Sequence, residues 1–113
     1  MRLLKLRPDP KLNAWALGKA HEVLGSIPSK HLILEAYLFG SAAEGTFTHD
    51  SDLDFLIVVA NEEHAKILQA EVLRPGFTDI AVDWIFKTKE SFEARKKIGG
   101  VCFIAHNNGR RLL

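Results

Sequence analysis

Three carboxylates and one Gly-Ser pair are the residues of this 113-residue chain whose types and spacing could do chemistry. Asp52 and Asp54 flank Leu53 at the head of an apolar run, residues 55–60, and Asp83 interrupts a second apolar run, residues 80–86. Successive side chains on a strand point to opposite faces, so Asp52 and Asp54 would project from one face, about 6.5 to 7 Å apart along the chain. Two carboxylates aimed together can hold divalent cations roughly 3.5 to 4 Å apart when a neighbouring element supplies a third, and Asp83 is the candidate for that third ligand. A carboxylate inside an apolar strand is costly unless it is paired or protonated, so Asp83 needs a partner. That partner is a metal ion, a Lys or Arg, or water at a sheet edge. Spacing alone does not choose among these, because with 14 acidic residues in the chain an acidic-x-acidic pattern arises by chance about 1.7 times.

Gly40-Ser41 closes an earlier apolar run, residues 32–39. A glycine there lets the backbone approach an anion, and freed amides together with the Ser41 hydroxyl would donate to phosphate oxygens. The same dipeptide also suits a plain turn.

These residues need elements to hold them. Asp9-Pro10 is a cap and first-turn pair, and Leu12, Trp15, Ala16, Ala20, Val23 and Leu24 recur at helical spacing up to Gly25. Residues 26–30 read as a turn, 32–39 as a strand ending at Gly40, 41–51 as a small polar loop, and 53–60 as a central strand covered on both faces. Asn61 caps a helix running to Arg74, where Pro75-Gly76 stops it. Residues 78–86 read as a third strand, Thr88 caps a short basic helix to about Ile98, and residues 101–105 read as a last short strand after Gly99-Gly100.

The size fits one domain, residues 1–113, and 47% hydrophobic with 26% charged residues is ordinary for a globular protein. No apolar run approaches the roughly 20 residues that cross a bilayer, and Pro8 and Pro10 break the N-terminus before a signal-like core develops. A cytoplasmic location is therefore expected, and the single Cys102, in an apolar stretch, reads as a buried structural thiol. The net charge of +1 conceals an acidic centre: residues 31–65 hold seven acidic and no basic side chains. Such a stretch is either a solvated face or repels phosphate unless a cation intervenes. The five histidines, His21, His31, His49, His64 and His106, show no metal-ligand spacing, and only His49 is placed to touch a substrate. Arg95, Lys96, Lys97, Arg110 and Arg111 lack interleaved aromatics and an overall basic excess, so nucleic acid is not indicated.

Taken in order, Phe39-Gly40-Ser41, ten intervening residues, Asp52-Leu53-Asp54-Phe55 and Val82-Asp83-Trp84 resemble the minimal nucleotidyltransferase family, a branch of the DNA polymerase beta-like superfamily. The likeness spans about residues 12–104. It implies an α/β (α+β) nucleotidyltransferase fold, a mixed β-sheet of three to five strands flanked by helices. It implies a nucleoside triphosphate held at Gly40 and Ser41, and two magnesium ions, with manganese as a substitute, bound by Asp52 and Asp54 with Asp83 completing the catalytic set. Such metals activate an acceptor hydroxyl and neutralise the departing pyrophosphate. Family members of this size typically transfer AMP from ATP to a hydroxyl, and many serve as the antitoxin beside an all-helical partner protein. Some act mainly by binding, and a homo-oligomer is also compatible. One departure is visible: where many small members read Arg-Ala-Arg-Gly after Gly-Ser, this chain reads Ala42-Ala43-Glu44-Gly45. An anion in place of a cation would weaken triphosphate binding unless Glu44 faces solvent or is paired.

Overall fold

The computed structural model describes residues 9–113; the Pro8 break lies outside the described residues. Helix α1 (Pro10–Gly25) begins at Asp9, whose carboxylate accepts hydrogen bonds from the Lys11 and Leu12 amides, with Pro10 in the first turn where its missing N–H costs nothing. Its buried stripe is Ala16, Ala20, Val23 and Leu24. Trp15, on the same helical spacing, is instead half exposed and leans on Phe47 at a centroid distance of 6.2 Å.

After a 3-10 turn (Lys30–Leu32), β1 (Ile33–Phe39) leads through Gly40 into a one-turn helix α2 (Ser41–Glu44), and β2 (Leu53–Val59) follows. Helix α3 (Glu62–Val72) starts at Asn61, whose side chain accepts from the His64 amide at 2.9 Å, and buries Ala65, Leu68 and Val72. Strand β3 (Val82–Thr88), helices α4 (Lys89–Arg95) and α5 (Gly100–Asn108), and a two-residue strand β4 (Arg110–Arg111) complete the chain. The sheet order is β3-β2-β1-β4, with β2 parallel to β3 and the other pairs antiparallel. This is the expected mixed α/β nucleotidyltransferase architecture, with β1 and β2 in the interior.

Two cores lie on the two faces of the sheet. Leu53, Phe55, Ile57 and Val59 pack with the buried stripes of α1 and α3, while Leu56 and Val58 pack with Tyr37, Phe92 of α4, and Cys102 and Ala105 of α5. The near-continuous apolar sequence of β2 follows from this double cover. Cys102 is a free, buried thiol, as its surroundings in sequence suggest.

Three expectations are corrected. Residues 101–105 are helical: Cys102 and Ala105, at i and i+3, are buried, whereas Phe103 and Ile104 are exposed. A short apolar run carries too little periodicity to separate the two structures, and here the small residues let the helix lie close on β1. Gly109 then permits the return to the sheet, since a Cβ on it would sit 2.3 Å from the Ala105 carbonyl oxygen and 2.8 Å from that of Leu38. The third strand begins at Val82, four residues later than expected, because the Thr78 hydroxyl accepts from the Ile80 amide in a local turn; it runs on to Thr88, which also caps α4. Glu35 belongs to no solvated acidic face. It is buried on β1 and accepts hydrogen bonds from the Tyr37 hydroxyl and the Lys89 ammonium, both at 2.6 Å, with Arg111 at 3.5 Å. Burial pushes its pKa up, but the bonds from Lys89 and Tyr37 outweigh it and the net shift is downward.

Phe92 is fully buried beneath Tyr37, their rings 5.3 Å apart. Phe92→Ala should lower unfolding stability by about 3 to 5 kcal/mol, read as a fall in the urea midpoint without a change in slope.

Candidate active site

Gly40, Asp54 and Asp83 meet at one end of the sheet. Phe39 pairs with Asp54 across the β1–β2 ladder, and Asp54 pairs with Asp83 across the parallel β2–β3 ladder. Directly paired residues share a face, so the two carboxylates emerge side by side. Asp83 is near enough to raise the Asp54 pKa through its charge and a shared proton. Gly40 has φ 69°, and a Cβ on it would lie 2.3 Å from Asp54 Oδ2. Any other residue there would displace the Asp54 carboxylate and strain the backbone.

Burial pushes the Asp54 pKa up to about 6, and the neighbouring charges of Asp83 and Asp52 add to the shift. Asp54 is thus the carboxyl whose ionised form is held at a cost, the condition a bound cation relieves. Asp52 precedes β2 and is exposed. Asp83 is exposed on the edge strand and makes no ion pair among the described residues. Among the described residues no three His, Cys, Asp or Glu side chains are gathered as a metal site. The pair Asp54 and Asp83 meets directly, while Asp52 acts on it through charge.

Ser41 opens α2 and is partly buried; the Gly40 carbonyl accepts from the Ala43 and Glu44 amides. The first-turn amides of Ser41 and Ala42 have no intrahelical acceptor, so they and the Ser41 hydroxyl are the donors this turn offers an anion. Glu44 points to solvent and pairs with no cation among the described residues.

Asn13 is a positioning residue the sequence reading missed. Its amide group donates to the Gly45 carbonyl at 2.8 Å, and its side-chain oxygen accepts from the Phe47 amide at 3.1 Å, which pins the loop after α2 to α1. A polar residue beside an apolar helical stripe was the available signal. The loop then tightens through the Thr48 amide and the Ser51 hydroxyl, 2.9 Å apart, immediately before Asp52. A cavity of about 280 Å³ opens beside Asp52, lined also by Trp15, Phe47 and His49, so His49 shares a cavity with Asp52 while Asp54 and Asp83 lie outside its lining.

The nucleotidyltransferase domain family model matches residues 20–111, most of the chain, and the protein belongs to that family. Among solved structures it is similar to a candidate nucleotidyltransferase from Sulfolobus solfataricus, with a TM-score of 0.56 and 22% identity over 82% of this chain and 85% of that one. At that identity the likeness establishes the shared fold. No curated protein matches the sequence. No helix among the described residues is long and apolar enough to cross a membrane.

The Asp54 shift has a measurable consequence. Its folded pKa of about 6 exceeds its ordinary value of 3.8, so between these values the folded protein keeps a proton that the unfolded chain has released. That proton's contribution is fully present at low pH and is lost as pH rises through about 6. Metal-free wild type should therefore lose stability relative to Asp54→Asn as pH rises from about 4 to 7. Chemical denaturation at a series of pH values checks this; parallel profiles for the two proteins would remove the coupling.

Proposed function

We propose that this nucleotidyltransferase domain transfers a nucleoside monophosphate, AMP from ATP, to an acceptor hydroxyl, with divalent magnesium held by Asp52, Asp54 and Asp83. The observation that carries this reading is the direct register of Asp54 with Asp83, with Gly40 leaving room for the Asp54 carboxylate. The donor set is all oxygen, which suits a hard divalent cation, and manganese is a chemically equivalent probe. A bound cation would supply charge neutralisation at the reacting phosphate and lower the pKa of the attacking hydroxyl.

The chain's own residues have separate tasks in this scheme. Asp54 and Asp83 pair across the ladder to present adjacent oxygens, and Asp52, which lines the adjoining cavity, adds the third carboxylate. Gly40 and Ser41 present backbone amides and a hydroxyl to the triphosphate. Near its raised pKa of about 6, Asp54 in the empty site is partly protonated, so loading of a cation at that pH would displace a fraction of a proton. The buried Glu35 network lends the site no acid or base because its partners already saturate it.

With magnesium at a hundred times its dissociation constant, binding to the folded state should add about 2.7 kcal/mol of stability. Asp54→Asn should abolish most of that gain together with label transfer from α-labelled ATP to acceptor. A full magnesium-dependent rise in Tm in Asp54→Asn would remove the basis for the site.

A second reading is favoured by Glu44, an exposed anion where small family members carry Arg. In it the domain is a binding subunit, an antitoxin that neutralises an all-helical partner through its surface. The Asp52→Asn, Asp54→Asn double variant should then neutralise the partner as well as wild type. Loss of neutralisation with partner binding retained, measured by a growth assay and by pull-down, favours catalysis instead.

A further inference from the structure

Strand β3 is a seven-residue edge of the sheet. The Leu53 amide donates to the Ala81 carbonyl, so alternation turns the backbone groups of residues 83, 85 and 87 toward β2. The backbone groups of Trp84 and Phe86 face outward, and among the described residues they find no backbone partner. A bare edge of this length is a template for another strand.

The sequence of this edge is complementary to itself. Antiparallel pairing centred on Ile85 sets Trp84 opposite Phe86 and Asp83 opposite Lys87. Trp84 and Phe86 then exchange both hydrogen bonds with each other, which is the pairing their outward groups require. Asp83 and Lys87 become a non-hydrogen-bonded pair, the arrangement that brings opposed side chains closest. Shifting the axis to Trp84 would oppose Asp83 to Ile85, and shifting it to Phe86 would oppose Asp83 to Lys89, which is already bound to Glu35 and Glu93. Lys87 makes no ion pair among the described residues. On the opposite face, the stacked series Phe55, Trp84 and Phe86 would continue across the axis.

We propose that two copies of the chain join β3 to β3, antiparallel about a twofold axis at Ile85, and that Lys87 of each copy meets Asp83 of the other. The joined sheet ends on both sides in β4, an edge of only two residues, too short to recruit further chains. The pairing is isologous and closes at two copies. It also delivers an ammonium group from the second copy to the rim of the carboxylate pair, so each candidate active site is built from two chains. The assembly stands whether or not the domain transfers nucleotides, and it is tested without nucleotide.

Sedimentation velocity of the full chain from low micromolar to several hundred micromolar should show a dimer. Ile85 faces its own copy at the axis, so Ile85→Lys and Ile85→Glu should each be monomeric, and their equimolar mixture should recover the dimer. Circular dichroism melts establish that both variants are folded. Lys87→Asp, which opposes Asp to Asp83 twice, should weaken association roughly tenfold or more and decides the matter if the Ile85 variants do not fold. A wild-type monomer throughout the range overturns the proposal, as does a folded Ile85→Lys that still dimerises or a mixture of the two variants that stays monomeric.

Discussion

The parallel register of β2 and β3 brings the Asp54 carboxyl against that of Asp83, and the rest of the molecule is arranged around tolerating that contact. Two carboxylates side by side repel, and the partial burial of Asp54 removes part of the water that would screen them. The protein makes no ion pair to either of them among the described residues. The cost appears as the raised pKa of Asp54. The empty site is therefore unfavourable in its fully ionised form.

The scaffold can carry this because its other buried charge is satisfied. Glu35 lies on the same face of the sheet as Asp54 and Asp83, toward the opposite end, and draws Lys89 and Arg111 onto β1. Lys89 also bonds Glu93 on α4, whose pKa is held down at about 2 by Lys89 and then Lys96. The Tyr37 hydroxyl, desolvated and bound to Glu35, has its pKa pushed up to about 12 and stays protonated. One end of this face is therefore neutralised and sealed by α4 and α5, while the other is left acidic and open. A single sheet thus separates a structural carboxylate from the candidate catalytic ones by strand position alone.

Gly40 connects the Gly-Ser turn to the carboxylates. Because its missing side chain is the space that Asp54 fills, the Gly-Ser turn and the Asp-x-Asp strand are one unit in three dimensions. The loop between them is held from outside by Asn13 of α1. Glycine at this position serves close approach to Asp54, which a motif read as a phosphate loop alone does not reveal.

Local chemistry was legible in the sequence. Asp9, Asn61 and Thr88 cap helices because their side chains reach amides two or three residues on, and the apolar run of β2 reports cover on both faces. The order of Gly40-Ser41, Asp52-x-Asp54 and Asp83 fixed the family resemblance, and the alternation rule put Asp52 and Asp54 on one face. What depends on long-range pairing was not legible. The register that sets Asp83 beside Asp54, the burial of Glu35 among partners from α4 and β4, and the helical state of residues 101–105 are decided by which surface packs on which. A five-residue apolar run or a lone acidic residue in a strand carries no record of its distant neighbours, and only the assembled sheet, with a helical layer on each face, selects among the states that local propensity leaves open.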